Sequence, residues 1–126
     1  DLALAAHNWC LDVWAYHTQL DDVYALARRT PEVTVVINHL GGPLGVGPYQ
    51  RDDAELFRQW HAAIKQLASL PNTYIKLGGM GLRVMGYTYG LASQPPHSRD
   101  LAADWRARVE ACIQAFGCKR MIDLQL

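Results

Sequence analysis

His17 and His39 are the residues whose setting could do chemistry. Each closes a β-rich run, LDVWAYH (residues 11–17) and VTVVINHL (33–40), and the second run breaks at once into Gly-Gly-Pro. Side chains two apart share a strand face, so Val13, Ala15 and His17 should align, as should Val33, Val35, Ile37 and His39. Both imidazoles are then expected to prolong an apolar face at the C-terminal end of a strand, where parallel α/β proteins bind ligands and carry catalysis. An imidazole there can move a proton near neutral pH or ligate a metal. A lone histidine at a strand end is often only a half-buried ring bonded to a loop carbonyl, and two at equivalent points of successive strands shift the balance toward function. His7, His61 and His97 lack this placement. His61 falls inside a helical pattern and His97 in a Pro-rich loop, so both are expected to face solvent.

Lys76 is the next chemical group. It stands between Ile75 and Leu77 in YIKLGG, in a strand expected to be covered on both faces. A buried ammonium is costly unless paired, so Lys76 should reach a ligand or an anion at the strand end or run its charge out to water. The stretch GMGLRVMGYTYGLASQPP that follows shows no clear periodicity, and a loop of that length in a compact domain is commonly a functional lid or disordered. Its Arg83, Tyr87 and Tyr89 could contact an acidic or sugar-like substrate, or be ordinary solvated loop residues. Gly41, Gly42, Gly45 and Gly47 suggest a phosphate loop, but they lack the G-x-G-x-x-G order and any G-K-[ST] ending. Asp52, at the expected start of the next helix, would also put negative charge where a phosphate should sit. The glycines are better suited to an unusual backbone path at the mouth of a site.

The elements that must position these groups alternate in type. The strands LDVWAYH, VTVVINHL and NTYIKLGG (72–79) are separated by segments of helical spacing. In QLDDVYALARR, Leu20, Val23, Tyr24 and Ala27 fall on one helix face. RDDAELFRQWHAAIKQLASL repeats the pattern through Leu56, Phe57, Trp60, Ile64 and Leu67, with Asp52 as N-cap and Glu55 three residues on. SRDLAADWRARVEACIQAFG does so through Leu101, Trp105, Val109, Cys112, Ile113 and Phe116, with Ser98 as cap and Gly117 as stop. DLALAAHN reads as the end of a helix and MIDLQL as the beginning of a strand. Strands alternating with amphipathic helices imply a parallel sheet, either a small doubly wound module or part of an eight-fold barrel, which needs about 250 residues.

Half of the 126 residues are hydrophobic, and 12 basic side chains balance 12 acidic ones. One domain spanning 1–126 is expected. The neutral balance argues against nucleic acid and against a polybasic membrane patch, and favours a small-molecule partner. Three cysteines without a C-x-x-C pair suggest reduced thiols, and no apolar run reaches the ~18 residues that span a bilayer. A cytoplasmic setting is the expectation.

With these residues assembled, the chain resembles the amidohydrolase-related family of the amidohydrolase superfamily, in the branch similar to dicarboxylate and sugar lactonases. LDVWAYHTQL, VTVVINHLGGPLGVGPY, NTYIKLGG and WRARVEACIQAFG carry the resemblance in that order, and H-L-G-G-P after an apolar strand is its most specific piece. It implies a partial (β/α)8 TIM barrel, truncated at both ends, from a hydrolase acting on a lactone or similar cyclic ester or amide by water attack at the carbonyl. His39 matches the family's mid-barrel histidine, a metal ligand in metal-dependent members and a substrate contact in metal-independent lactonases. His17 matches the histidine of the preceding strand, which binds substrate or transfers a proton. Lys76 and Arg83 are the accompanying substrate-binding expectations. The resemblance implies one divalent, zinc-like metal in some members and metal-independent chemistry in others. The family's first-strand H-x-H pair has no counterpart in this sequence, MIDLQL does not match its closing strand, and Asn38 stands where Asp is commoner. The chain by itself is therefore expected to be inactive and to self-associate through open sheet edges. A decarboxylase of the same superfamily and a non-catalytic doubly wound binding module are the alternatives.

Overall fold

A computed structural model describes residues 2–123. Four strands, β1 (Cys10–Val13), β2 (Thr34–Ile37), β3 (Thr73–Leu77) and β4 (Met121–Asp123), form one parallel sheet in sequential order. Helices α1 (Leu2–Ala6), α2 (Leu20–Arg29), α3 (Ala54–Ala68) and α4 (Ser98–Phe116) lie before and between them. The strand expected over MIDLQL is described as far as Asp123, and its last three residues lie outside the described range.

Pairing puts Val13 beside Ile37 and Ile37 beside Ile75, so these residues share a face. That face packs against Leu20, Val23 and Ala27 of α2, Trp60, Ile64 and Leu67 of α3, and Cys112 and Phe116 of α4 in one core. The helical faces follow the apolar spacing of the sequence, with one exception: Ile113 remains 43% exposed. The opposite face carries Cys10 and Asp12, both exposed, and the half-buried Tyr74 and Lys76. A doubly wound module reverses its strand order and covers both faces with helices. Here the order runs straight through and the packed helices share one core face, which removes that alternative and matches the partial barrel.

Helix ends are set by local chemistry. Asp53, not Asp52, caps α3, its Oδ1 accepting from the backbone N–H of Glu55 (2.8 Å) and Leu56 (3.3 Å). The Asp52 carboxylate instead pairs with Arg51 at 3.1 Å. Ser98 is the first residue of α4 and His97 occupies the cap position, without a side-chain bond. The Asn72 amide donates to the carbonyls of Ala27 (3.0 Å), Thr30 (3.1 Å) and Val33 (2.9 Å), closing the C-terminus of α2. Arg120 does the same for α3, donating to Ala68 and Leu70, each at 2.9 Å. Such bonds satisfy carbonyls at and just beyond the helix ends, where the intrahelical ladder runs out.

Candidate functional site

The strands stop short of both histidines. β1 ends at Val13 and β2 at Ile37, so strand alternation does not carry His17 or His39 onto the core face as the sequence predicts. Beyond Ile37 the chain turns left-handed at four successive residues: His39 (φ 50), Leu40 (φ 53), Gly41 (φ 69) and Gly42 (φ 54). The turn is closed by Gly41 N–H to Asn38 C=O at 3.1 Å and Gly42 N–H to His39 C=O at 2.9 Å. L-residues in this region cost about 1–2 kcal/mol each, so His39 and Leu40 must be held there by their surroundings. The Trp60 indole N–H, buried in α3, donates to the Leu40 carbonyl at 2.8 Å. At Gly42 a side chain is excluded, because a Cβ would come within 2.2 Å of the Ala15 carbonyl oxygen.

The turn redirects the His39 ring. It meets the edge of Trp14 at a centroid distance of 4.7 Å and an interplanar angle of 89°. It also lies over Gly79, where a Cβ would stand 2.3 Å from His39 Nδ1. Nδ1 is buried and has no hydrogen-bond partner among the described residues. His39 thus sits at the C-terminal end of the sheet, walled by the residues that follow β1 and β3. Trp14 and Gly79 escaped sequence reasoning. The double glycine after β3 was their one visible signal.

His17 opens a short 3-10 turn (His17–Gln19) before α2. Its Nδ1 accepts from the Leu44 N–H at 3.1 Å, and its own N–H donates to the Gly42 carbonyl at 2.9 Å. Its ring meets Tyr49 edge-on at 5.3 Å. Burial lowers its pKa below the ordinary imidazole value; a hydrogen bond to the Gly42 backbone opposes this and the charge of Arg108 adds to it. An Nδ1 that accepts a backbone hydrogen bond fixes the neutral tautomer with its proton on Nε2. His17 therefore holds the glycine-rich loop while His39 meets Trp14 and Gly79, so the two rings have different neighbours.

Lys76 reaches an anion, one of the two courses expected of it, but that anion is a carboxylate of this chain and not a ligand. Its Nζ pairs with Asp12 Oδ2 at 2.5 Å across β2, on the face away from the helices. Arg83 begins a 3-10 turn (Arg83–Met85) and is exposed, its side chain making no hydrogen bond or ion pair among the described residues. Tyr87 is buried beneath the Arg51 guanidinium, 4.9 Å from its ring centre. Tyr89 stacks on Tyr87 and donates its hydroxyl to Asp104, and burial raises the pKa of both phenols. The two tyrosines fasten the loop to α4 and do not reach outward. His61 is half-buried beside Phe57 and Trp60, whereas His7 and His97 are exposed.

For a metal, these residues offer one buried, unpartnered imidazole nitrogen, His39 Nδ1, packed against Gly79. Among the described residues no group of three His, Cys, Asp or Glu is gathered, and zinc takes at least three protein ligands. The described residues do not hold such an ion by themselves. No helix among them is long and apolar enough to cross a membrane.

The family model described as Amidohydrolase matches residues 3–122. An L-fucono-1,5-lactonase of Burkholderia multivorans is 32% identical over 123 residues, covering 94% of this chain and 37% of that protein. An L-fucono-1,5-lactonase of Burkholderia ambifaria is 33% identical over 78 residues, 62% of this chain and 24% of that protein. Among solved structures, an amidohydrolase from Burkholderia multivorans with bound zinc superposes with a TM-score of 0.74 at 26% identity, covering 95% of this chain and 38% of that one. The chain spans little more than a third of the length of this Burkholderia multivorans lactonase.

Proposed function

The chain belongs to the amidohydrolase family, and from that premise we propose that it supplies part of the active site of a barrel hydrolase that opens a sugar lactone. Its four-stranded parallel sheet is part of an amidohydrolase (β/α)8 barrel. The observation that carries the reading is His39. Its ring is fixed at the C-terminal mouth of the sheet with an unpartnered Nδ1, on a chain 32% identical over 123 residues to a lactonase.

In this reading a water adds to the lactone carbonyl carbon, the ring C–O bond breaks, and its oxygen leaves as the hydroxyl of a hydroxy acid. His39 contacts the carbonyl end of the substrate. His17, holding the Leu44 N–H through Nδ1, presents its Nε2 proton to a substrate oxygen. Lys76, neutralised by Asp12, shapes the floor, and exposed Arg83 meets an anionic or hydroxylated part of the substrate at the rim. The zinc of the structural neighbour belongs to that protein; one donor among the described residues gives no basis for routing a step through a metal. The substrate is a small molecule. Three free cysteines support a reducing, cytoplasmic setting.

The test is hydrolysis of L-fucono-1,5-lactone by the chain alone and by the chain co-expressed with the N-terminal half of a related lactonase barrel. Activity in the complex that drops at least ~100-fold in His39→Ala, the scale of losing a positioned catalytic group, is the expected result. A folded complex that leaves the lactone intact, or whose rate ignores the substitution, sinks the proposal.

A further inference from the structure

Beneath the 79–91 loop lies a cavity of about 10 Å³, lined by Leu40, Pro43, Met80, Met85 and Tyr87 and closed by Trp105 and Arg108 of α4. Its walls are apolar except for two donors. The indole N–H of Trp105 and the Nε–H of Arg108 are buried and find no acceptor among the described residues. Being three residues apart on one helix, they share a face. The rest of the guanidinium is engaged: Nη2 donates to the Arg51 carbonyl at 3.0 Å, and the rings of Phe57 and Trp60 lie 5.9 and 6.0 Å from its central carbon. The Tyr87 hydroxyl donates to the Asp104 carbonyl at 3.3 Å, which leaves its oxygen lone pairs free.

Both residues line the same small space, and two buried donors without a partner, one of them charged, call for an acceptor. The volume admits about one water-sized particle, and such a site suits water only where two or more polar partners are present. We propose that this cavity binds one single-atom hydrogen-bond acceptor, a water oxygen or a halide ion, bridging Trp105 and Arg108. The bound atom satisfies two donors of the same helix, α4, beneath the 79–91 loop. Met80 and Met85 from the loop and Leu40 from the left-handed turn then close over a saturated polar pair. This site is separate from the proposed lactone chemistry and does not depend on it.

The experiment is solution NMR of the ¹⁵N-labelled wild-type chain, in sodium chloride and in sodium sulfate, with the Trp105 indole resonance assigned through Trp105→Phe. A nuclear Overhauser contact between the Trp105 indole proton and a long-lived water, present in both salts, establishes water. A Trp105 indole shift that saturates with chloride and is absent in sulfate establishes a halide. In either case indole exchange should run about 100-fold slower than that of exposed Trp9, as expected of a site that opens only locally. Indole exchange as fast as that of Trp9, with neither a water contact nor a chloride response, overturns the proposal. Should Trp105→Phe fail to fold, a wild-type crystal grown in bromide gives the same decision: anomalous density between the two nitrogens for a halide, ordinary density for water, and bare nitrogens against the site.

Discussion

At the scale of residues, the His39 ring is held by what its neighbours lack. Gly79 (φ 65) leaves room for Nδ1 where any Cβ would intrude at 2.3 Å. Gly79→Ala should therefore push the imidazole off Trp14 and destabilise the chain by at least about 1–2 kcal/mol from the left-handed backbone alone, read by denaturant unfolding and by the His39 ring resonances. An unchanged ring environment would show that Gly79 does not set its position. His17 gives a pH signature. Its pKa is lowered in the folded chain, so unfolding takes up a proton between the folded value and about 6.5, and stability falls as pH drops through that window. Protonation also breaks the bond from the Leu44 N–H. His17→Gln, which can still accept that bond but does not titrate, should flatten the decline of melting temperature between pH 7 and 5; equal slopes would remove His17 as its source. Both histidines could be singled out from sequence because each follows an apolar run. Their surroundings could not, since the partner of Lys76 lies 64 residues away at Asp12 and becomes visible only once strand register is known.

At the scale of elements, the helices were legible because burial follows a 3.6-residue period: Leu20, Val23 and Ala27 on α2, and Trp60, Ile64 and Leu67 on α3, are all buried. The strand ends were not. Alternation in VTVVINHL suggests a strand through residue 40, but the backbone leaves the ladder after Ile37 because His39 and Leu40 adopt positive φ. Nothing local to a histidine and a leucine signals that conformation; a tertiary bond from Trp60 helps impose it. Trp60→Phe keeps most of the apolar bulk and removes the donor, leaving the Leu40 carbonyl unpaired in the core. A loss of about 1–3 kcal/mol is expected, together with a change in the His39 ring environment. A stability loss with an undisturbed His39 would show that the turn holds its shape without α3.

At the scale of the whole molecule, one face of the sheet is sealed by helices and the other carries Asp12, Tyr74 and Lys76 in partly open surroundings. Asp12→Asn should weaken the hold on Lys76, whose side chain is 14% exposed, and leave a shielded ammonium without its counter-charge, lowering the melting temperature more than Lys76→Met does. The reverse ranking would argue that the pair matters through Asp12. Thiol chemistry probes the sealed side. Cys10 and Cys118 are exposed while Cys112 is buried, with its pKa pushed up to about 12 by burial. Two thiols should react with a disulfide reagent in the native chain and the third only on unfolding; three fast thiols would mean that α4 does not pack as described. The left-handed turn also carries a kinetic consequence. Its strain favours relaxation to the ordinary hand, and among the described residues the Trp60 indole is the side-chain donor on the Leu40 carbonyl. Each time α3 lifts far enough to withdraw that indole, the turn is free to revert and carry the imidazole away. The site's lifetime is then tied to the residence time of α3 on the sheet, and the geometry around His39 lasts only as long as that one helix stays docked.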